Sequence, residues 1–288
     1  MHATPPPTAT VTDADLVVGD HHLRVRTIMS SAPGADGRPT LVFLHDSLGC
    51  ISAWRDFPER LSAAVGCHAL VYDRRGYGQS APFPAAARQP DYLEAEAHAL
   101  ERLLATQLDG RTNRQAVLFG HSDGGSIALL AAALYPHRVC AIVTEGAHVF
   151  VEEVTLSGIR AAQELLHTTD LRERLWRHHG ERTDGVTSAW IDVWLSPEFR
   201  AWNMERFLPR ITCPALILQG ADDEYGTAAQ VQAIVEGIGR GEGSGAIADL
   251  IEGARHTPHK EAPNTVLTLT LGFLADRVPE MRRERSSG

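Results

Sequence analysis

One pentapeptide restricts the architecture open to this chain more than any other segment: Gly120, His121, Ser122, Asp123 and Gly124, set between two apolar runs. Ala116 to Phe119 reads as a strand buried on both faces, and from Gly125 to Tyr135 the pattern becomes that of a buried helix. A strand that turns this sharply into a helix at a serine needs glycine on both sides. The helix must pass close to the strand, and the strained residue tolerates no bulky neighbour. Serine is also a favoured helix N-cap, but capping accounts for neither flanking glycine.

The rest of the chain supplies the elements that such a turn requires. Leu16–Val18 and Leu23–Ile28 read as a hairpin, and Thr40–Leu44, Ala69–Tyr72, Val139–Thr144, Ala215–Gln219 and Ile247–Ile251 read as further strands. Helical spacing marks Arg55–Ala64, Asp91–Gln107 and a closing helix from Ala262 to about Ala275. Strands that alternate with helices in this way predict an α/β domain with a mostly parallel, eight-stranded sheet and its active groups on loops at the strands' carboxyl ends. The alternation breaks between His148 and Leu208, where charged clusters and Trp176, Trp190, Trp194 and Trp202 accompany a helical pattern. The expected division is a core over 12–147 and 209–280, an inserted helical cap over 148–208, and flexible ends at 1–11 and 281–288.

A net charge of −9 disfavours nucleic acid or an anionic membrane surface as a partner. The amino terminus lacks a basic start, and no run reaches the ~18 apolar residues of a membrane helix, so the expectation is a cytoplasmic protein with no membrane association. Cys50, Cys67, Cys140 and Cys213 are scattered without metal-binding or redox spacing and read as reduced fillers. No metal or cofactor is expected: the Gly241–Gly245 run lies between a helix and a strand, the wrong order for a phosphate loop. Self-association into a homo-oligomer is left open.

A serine hydroxyl needs a base to activate it and a third group to orient that base. Downstream, the strand ending at Gln219 runs into a loop holding Asp222, Asp223 and Glu224, and the strand ending at Ile251 runs into a loop holding His256. Serine, acid and histidine in this order, each after its own strand, is the arrangement associated with this turn.

Taken in sequence, the segments HDSLG, DRRGYGQS, GHSDGG, GADDEYG and GARHTPHKEAP resemble the α/β-hydrolase superfamily, in a likeness that covers nearly the whole chain. The resemblance implies Ser122 as nucleophile, His256 as general base and Asp223 as orienting acid, with Asp222, Glu224 and Glu145 as alternatives to Asp223. His259 is the competitor to His256 and reads as a packing or capping residue, and His45 and His121 as supports of their turns. The oxyanion donors implied are the amides of Asp123 and, from the loop after the third strand, Ser47. Asp46 stands where the family usually has glycine, which leaves open whether Asp46 or Ser47 presents that second amide. Asp46, His148, Trp190 and Trp194 are the expected pocket residues, with Trp202 considered beside them.

A small-molecule carboxylic ester, lactone or thioester, cleaved through an acyl-enzyme, is the substrate that follows. A serine nucleophile disfavours the family's dehalogenase and epoxide hydrolase branches, which use aspartate there. The alternative enzyme is a carbon–carbon hydrolase of ring-cleavage products, which needs an arginine facing its pocket. Arg160, Arg172, Arg174 and Arg177 are available but read more simply as a solvated face. A ligand-binding receptor on the same scaffold is the reading from another class.

Overall fold

The computed structural model describes residues 9–84, 88–239 and 245–281. Their apolar runs form one sheet of eight strands: β1 (Ala9–Val18), β2 (His21–Ser30), β3 (Thr40–Leu44), β4 (Ala69–Tyr72), β5 (Ala116–His121), β6 (Val139–Glu145), β7 (Pro214–Gly220) and β8 (Gly245–Ile251). The spatial order is β1-β2-β4-β3-β5-β6-β7-β8. β1 and β2 pair antiparallel, β2 joins β4 antiparallel, and every later pairing is parallel. The hairpin strands run longer than their apolar cores because much of β1 is exposed, which relaxes the demand for apolar residues.

Side-chain alternation along the central strands decides the layering. Leu41, Phe43, Val117 and Phe119 pack with Phe57 and Leu61 of α1 (Phe57–Val65) and with Val266 and Phe273 of α9 (Pro263–Arg277). Val42, Leu44 and Leu118, facing the other way, pack with α2 (Tyr92–Leu108), α3 (Asp123–Leu134) and α7 (Ala228–Ile238). Full burial of each such side chain stabilises the fold by about 1.5–3 kcal/mol, so the two apolar layers hold the strand ends in place for the site.

Between β6 and β7 lie α4 (Glu153–Thr168), α5 (Leu171–His179) and α6 (Thr183–Trp194). These helices form the inserted helical region, and α6 joins the core on the α2 and α3 side through Trp190, Ile191 and Trp194. The closing helix expected from Ala262 is α9, and a short helix not foreseen, α8 (Pro258–Glu261), precedes it, with Ala262 leaving helical geometry before Pro263 starts α9. Of the ends expected to be flexible, residues 9–11 instead continue β1, paired with β2, and Met281 is buried. The remainder, 1–8 and 282–288, lies outside the described residues, as do residues 241–244 of the glycine-rich turn.

Candidate active site

Ser122 sits at the junction of β5 and α3 with φ 55° and ψ −120°, a conformation that L-residues rarely adopt. The flanking glycines are required by contact. A Cβ on Gly120 would collide with the main-chain oxygen of Gly124, and one on Gly124 with that of Leu44. The serine hydroxyl is therefore carried on a rigid turn at the carboxyl edge of the sheet.

His256 Nε2 lies 3.0 Å from Ser122 Oγ. On its other side, Nδ1 is 2.9 and 3.0 Å from the two carboxylate oxygens of Asp223. Asp223 is itself held by the Tyr225 amide, which donates to Oδ1 at 2.8 Å. His121, buried beside them, donates from Nε2 to the main-chain oxygen of His256 at 2.7 Å and so fixes the loop that carries it. Burial lowers the His256 pKa, yet the Asp223 charge and hydrogen bond outweigh it and leave the imidazole above its ordinary value. Burial likewise raises the Asp223 pKa, and the facing imidazole reverses this to leave it below the usual carboxylate range.

Of the other acids weighed, Glu145 bonds His259 rather than His256. Its Oε2 lies 2.7 Å from Nδ1 of His259, and both side chains are almost wholly buried. Burial pushes Glu145 up to about 7; burial, with the Lys260 charge, pushes His259 down to about 3, so this pair favours its neutral form. Glu224 accepts from the His256 main-chain amide at 3.3 Å. No hydrogen bond links Asp222 to His256 among the described residues.

A pocket of about 210 Å³ opens over Ser122. Asp46, Ser47 and Leu48 line it from the loop after β3, Asp123 from the start of α3, and His148, Trp190 and Trp194 from the inserted region. All four expected pocket residues are therefore brought together there. Trp202 is not among the lining residues; it stacks on Phe199 at 5.1 Å. Thr155 and Ile159, one helical turn apart on α4, also line the pocket, as does Tyr225 beside the acid. Their i, i+4 spacing and the position of Tyr225 in GADDEYG were the available signals for them.

Two polar chains brace the pocket. Trp194 donates from Nε1 to the Tyr92 hydroxyl at 2.8 Å, and that hydroxyl donates to Asp123 Oδ1 at 2.9 Å. His45 donates from Nδ1 to its neighbour's main-chain oxygen at 2.7 Å and accepts from the Arg74 amide at 3.0 Å, which locks the loop after β3 against the end of β4. The carboxylate of Asp46 lies 3.7 Å from His121 Nδ1 and accepts from the Leu48 amide at 3.4 Å, so the acid found in place of glycine braces its own loop.

A family model described as the alpha/beta hydrolase fold matches residues 39–219. The chain is 30% identical over 216 residues to the human protein named serine hydrolase BPHL, an alignment covering 71% of this chain and 64% of that one. It is 34% identical over 116 residues to a 2-succinyl-6-hydroxy-2,4-cyclohexadiene-1-carboxylate synthase of Salmonella typhimurium, covering 40% of this chain and 41% of the synthase. The chain thus spans less than two thirds of either relative. Among solved structures, the 2-hydroxy-6-oxo-6-phenylhexa-2,4-dienoate hydrolase of Rhodococcus sp. strain RHA1 superposes with a TM-score of 0.73 at 12% identity, covering 93% of this chain and 99% of that one. With the strand order and the inserted helices, the match over 39–219 leads to one conclusion: the chain belongs to the α/β-hydrolase fold family.

Proposed function

We propose that this protein is a serine hydrolase that cleaves a small carboxylic ester, lactone or thioester through an acyl-enzyme on Ser122. The observation that carries the reading is the unbroken hydrogen-bonded series Asp223, His256, Ser122, whose last member opens into a pocket. Ser122 Oγ attacks the carbonyl carbon while His256 Nε2 takes its proton, and Asp223 keeps Nδ1–H in place and balances the imidazolium. The amides of Asp123 and Ser47 receive the developing oxyanion, each contributing a few kcal/mol. His256 then protonates the departing alcohol or thiol and activates the water that releases the acid.

The lining narrows the substrate. Asp46 and Glu224 supply carboxylates, whereas the Asp123 carboxylate is turned to Tyr92 and Arg74, and among the described residues no lysine or arginine lines this pocket. Its volume suits a short acyl group that is neutral or bears an amine.

A second reading, hydrolysis of a carbon–carbon bond in a ring-cleavage product, has kinship on its side, because the family holds both chemistries. The relatives' names weigh toward it and the pocket's lining toward the ester. The arginine it calls for is absent from that lining. Arg160, Arg172 and Arg174 pair with Glu153, Asp184 and Asp170 on the surface, and Arg177 is exposed.

Steady-state hydrolysis of chromogenic esters from acetyl to decanoyl, beside a 2-hydroxy-6-oxodienoate, tests both readings with Ser122→Ala in parallel. Sustained ester turnover that collapses in the variant is the expected result. Turnover of the dienoate alone would replace the ester reading with the carbon–carbon one. Slow single turnover with retained product would leave a receptor.

A further inference from the structure

Behind the Tyr92 and Trp194 wall lies a second pocket of about 950 Å³, more than four times the volume of the one at Ser122. Tyr72 and Arg74 at the end of β4 line it together with Arg88. Arg74 is fully buried and donates from Nη2 to the main-chain oxygen of Asp46 at 2.9 Å, but its Nε and Nη1 have no partner among the described residues. Arg88 donates from Nη2 to the Tyr77 hydroxyl at 2.9 Å, while its Nη1, also buried, has none. The buried Tyr72 hydroxyl has no partner among the described residues either. The two guanidinium carbons lie 4.6 and 5.6 Å from the centre of the same Tyr77 ring, and the Arg74 charge acts on Arg88.

Buried donors left without acceptors cost free energy, and most of all when they belong to a charged group. These donors sit on residues that line one cavity, whose remaining surface includes the apolar Phe83, Ala95, Ala189 and Val193. Arg75 and Arg102 line the pocket too, against Asp91, Asp192 and Glu198, which are exposed, and half-buried Glu96, whose charge acts on Arg74; Asp123 Oδ2 lies 3.5 Å from Arg74 Nη2 and offsets part of that cation's charge. That balance suits one negative charge better than two. A guanidinium fork matches a planar carboxylate in a bidentate fashion.

We propose that this second pocket binds an organic monocarboxylate, its charged end held by Arg74, Arg88 and the Tyr72 hydroxyl and its apolar body lying along Phe83, Ala95, Ala189 and Val193. The site is separate from Ser122, and its occupancy does not depend on the reaction proposed there.

Calorimetric titration of the Ser122→Ala protein, in which no turnover intrudes, tests it with phenylacetate, phenylacetamide and inorganic phosphate. Phenylacetate is expected to saturate the protein, with phenylacetamide weaker by about tenfold or more for the loss of one charged hydrogen bond, and phosphate weaker to a like degree because it lacks the apolar body. Arg88→Met is expected to weaken phenylacetate by at least about tenfold and Tyr72→Phe by severalfold. Tyr72→Phe removes a single atom that has no partner among the described residues, so it reports on binding even where Arg88→Met fails to fold. Absence of saturation by about 10 mM, equal affinity for the amide or for phosphate, or indifference to Tyr72→Phe would each overturn the assignment.

Discussion

Arg74 and Asp123 face each other inside the protein, Nη2 3.5 Å from Oδ2, with side-chain exposures of 0% and 1%. The same Nη2 donates to the main-chain oxygen of Asp46. One buried cation thereby ties the loop after β3 to the first residue of α3, the two segments proposed to donate to the oxyanion.

Removing that cation leaves a carboxylate buried without its counter-charge. Arg74→Met is expected to destabilise the fold by about 3–5 kcal/mol, and adding Asp123→Asn to recover part of the loss. Urea unfolding of the two single variants and the double variant measures this. Strict additivity would show that the two side chains do not interact.

The pH dependence follows from His256. Its pKa is raised above 6.5, and only the neutral imidazole can take the serine proton. The kcat/KM of the proposed hydrolysis should therefore climb with pH through a midpoint above 6.5. Asp223→Asn removes the charge that raises it, so the midpoint should fall while the plateau drops by about 10⁴-fold. A rate profile with its acid limb well below the ordinary histidine value would contradict this arrangement.

Glu145 and His259 act on stability in opposite directions. The folded pKa of Glu145 stands above its unfolded value of 4.5, so its contribution is full below 4.5 and is lost as pH rises through about 7. His259, pushed down to about 3 from 6.5, contributes stability above 6.5 that is lost as pH falls toward 3. Glu145→Gln keeps a donor for His259 and removes the first titration, and is expected to stabilise the protein at pH 8 relative to pH 5 by up to about 3 kcal/mol. Melting temperatures at the two pH values give the comparison, and an equal shift at both would show that Glu145 does not titrate in the folded state.

Trp190 bounds the pocket and is nearly buried. Trp190→Ala should move the preferred acyl chain toward greater length, and it should also destabilise the fold by about 3–5 kcal/mol. A chain-length series on the variant, run below its melting temperature, checks the first effect. An unchanged preference would remove Trp190 from the acyl pocket.

The sheet and the Ser122 turn were legible because their signals are local. Thr40–Leu44 and Ala69–Tyr72 are short apolar runs whose limits coincide with the observed strands, and the glycines around Ser122 mark a conformation few other residues permit. The exposed outer strand was harder to delimit, since Ala9 to Val18 interleaves Asp13 and Asp15 with apolar residues and no core enforces its length. What could not be read was pairing at a distance. His259 and Glu145 are 114 positions apart, and Arg74 meets Asp46 and Asp123 only because β4, β3 and β5 end side by side. A charged side chain at Arg74 reads as solvent-facing until the fold buries it.

The backbone of Ser122 carries a cost for the whole molecule. Holding a residue with a Cβ at φ 55° takes on the order of 1–3 kcal/mol, which the packed layers on either side of the sheet must supply. Ser122→Ala keeps that strain, whereas Ser122→Gly relaxes it, and both lose the same hydroxyl. The glycine variant should unfold at higher urea than the alanine variant, offset in part by the greater freedom glycine has in the unfolded chain. Activity and durability then pull against each other at a single position: this chain would be a sturdier protein if it gave up the residue proposed to do its chemistry.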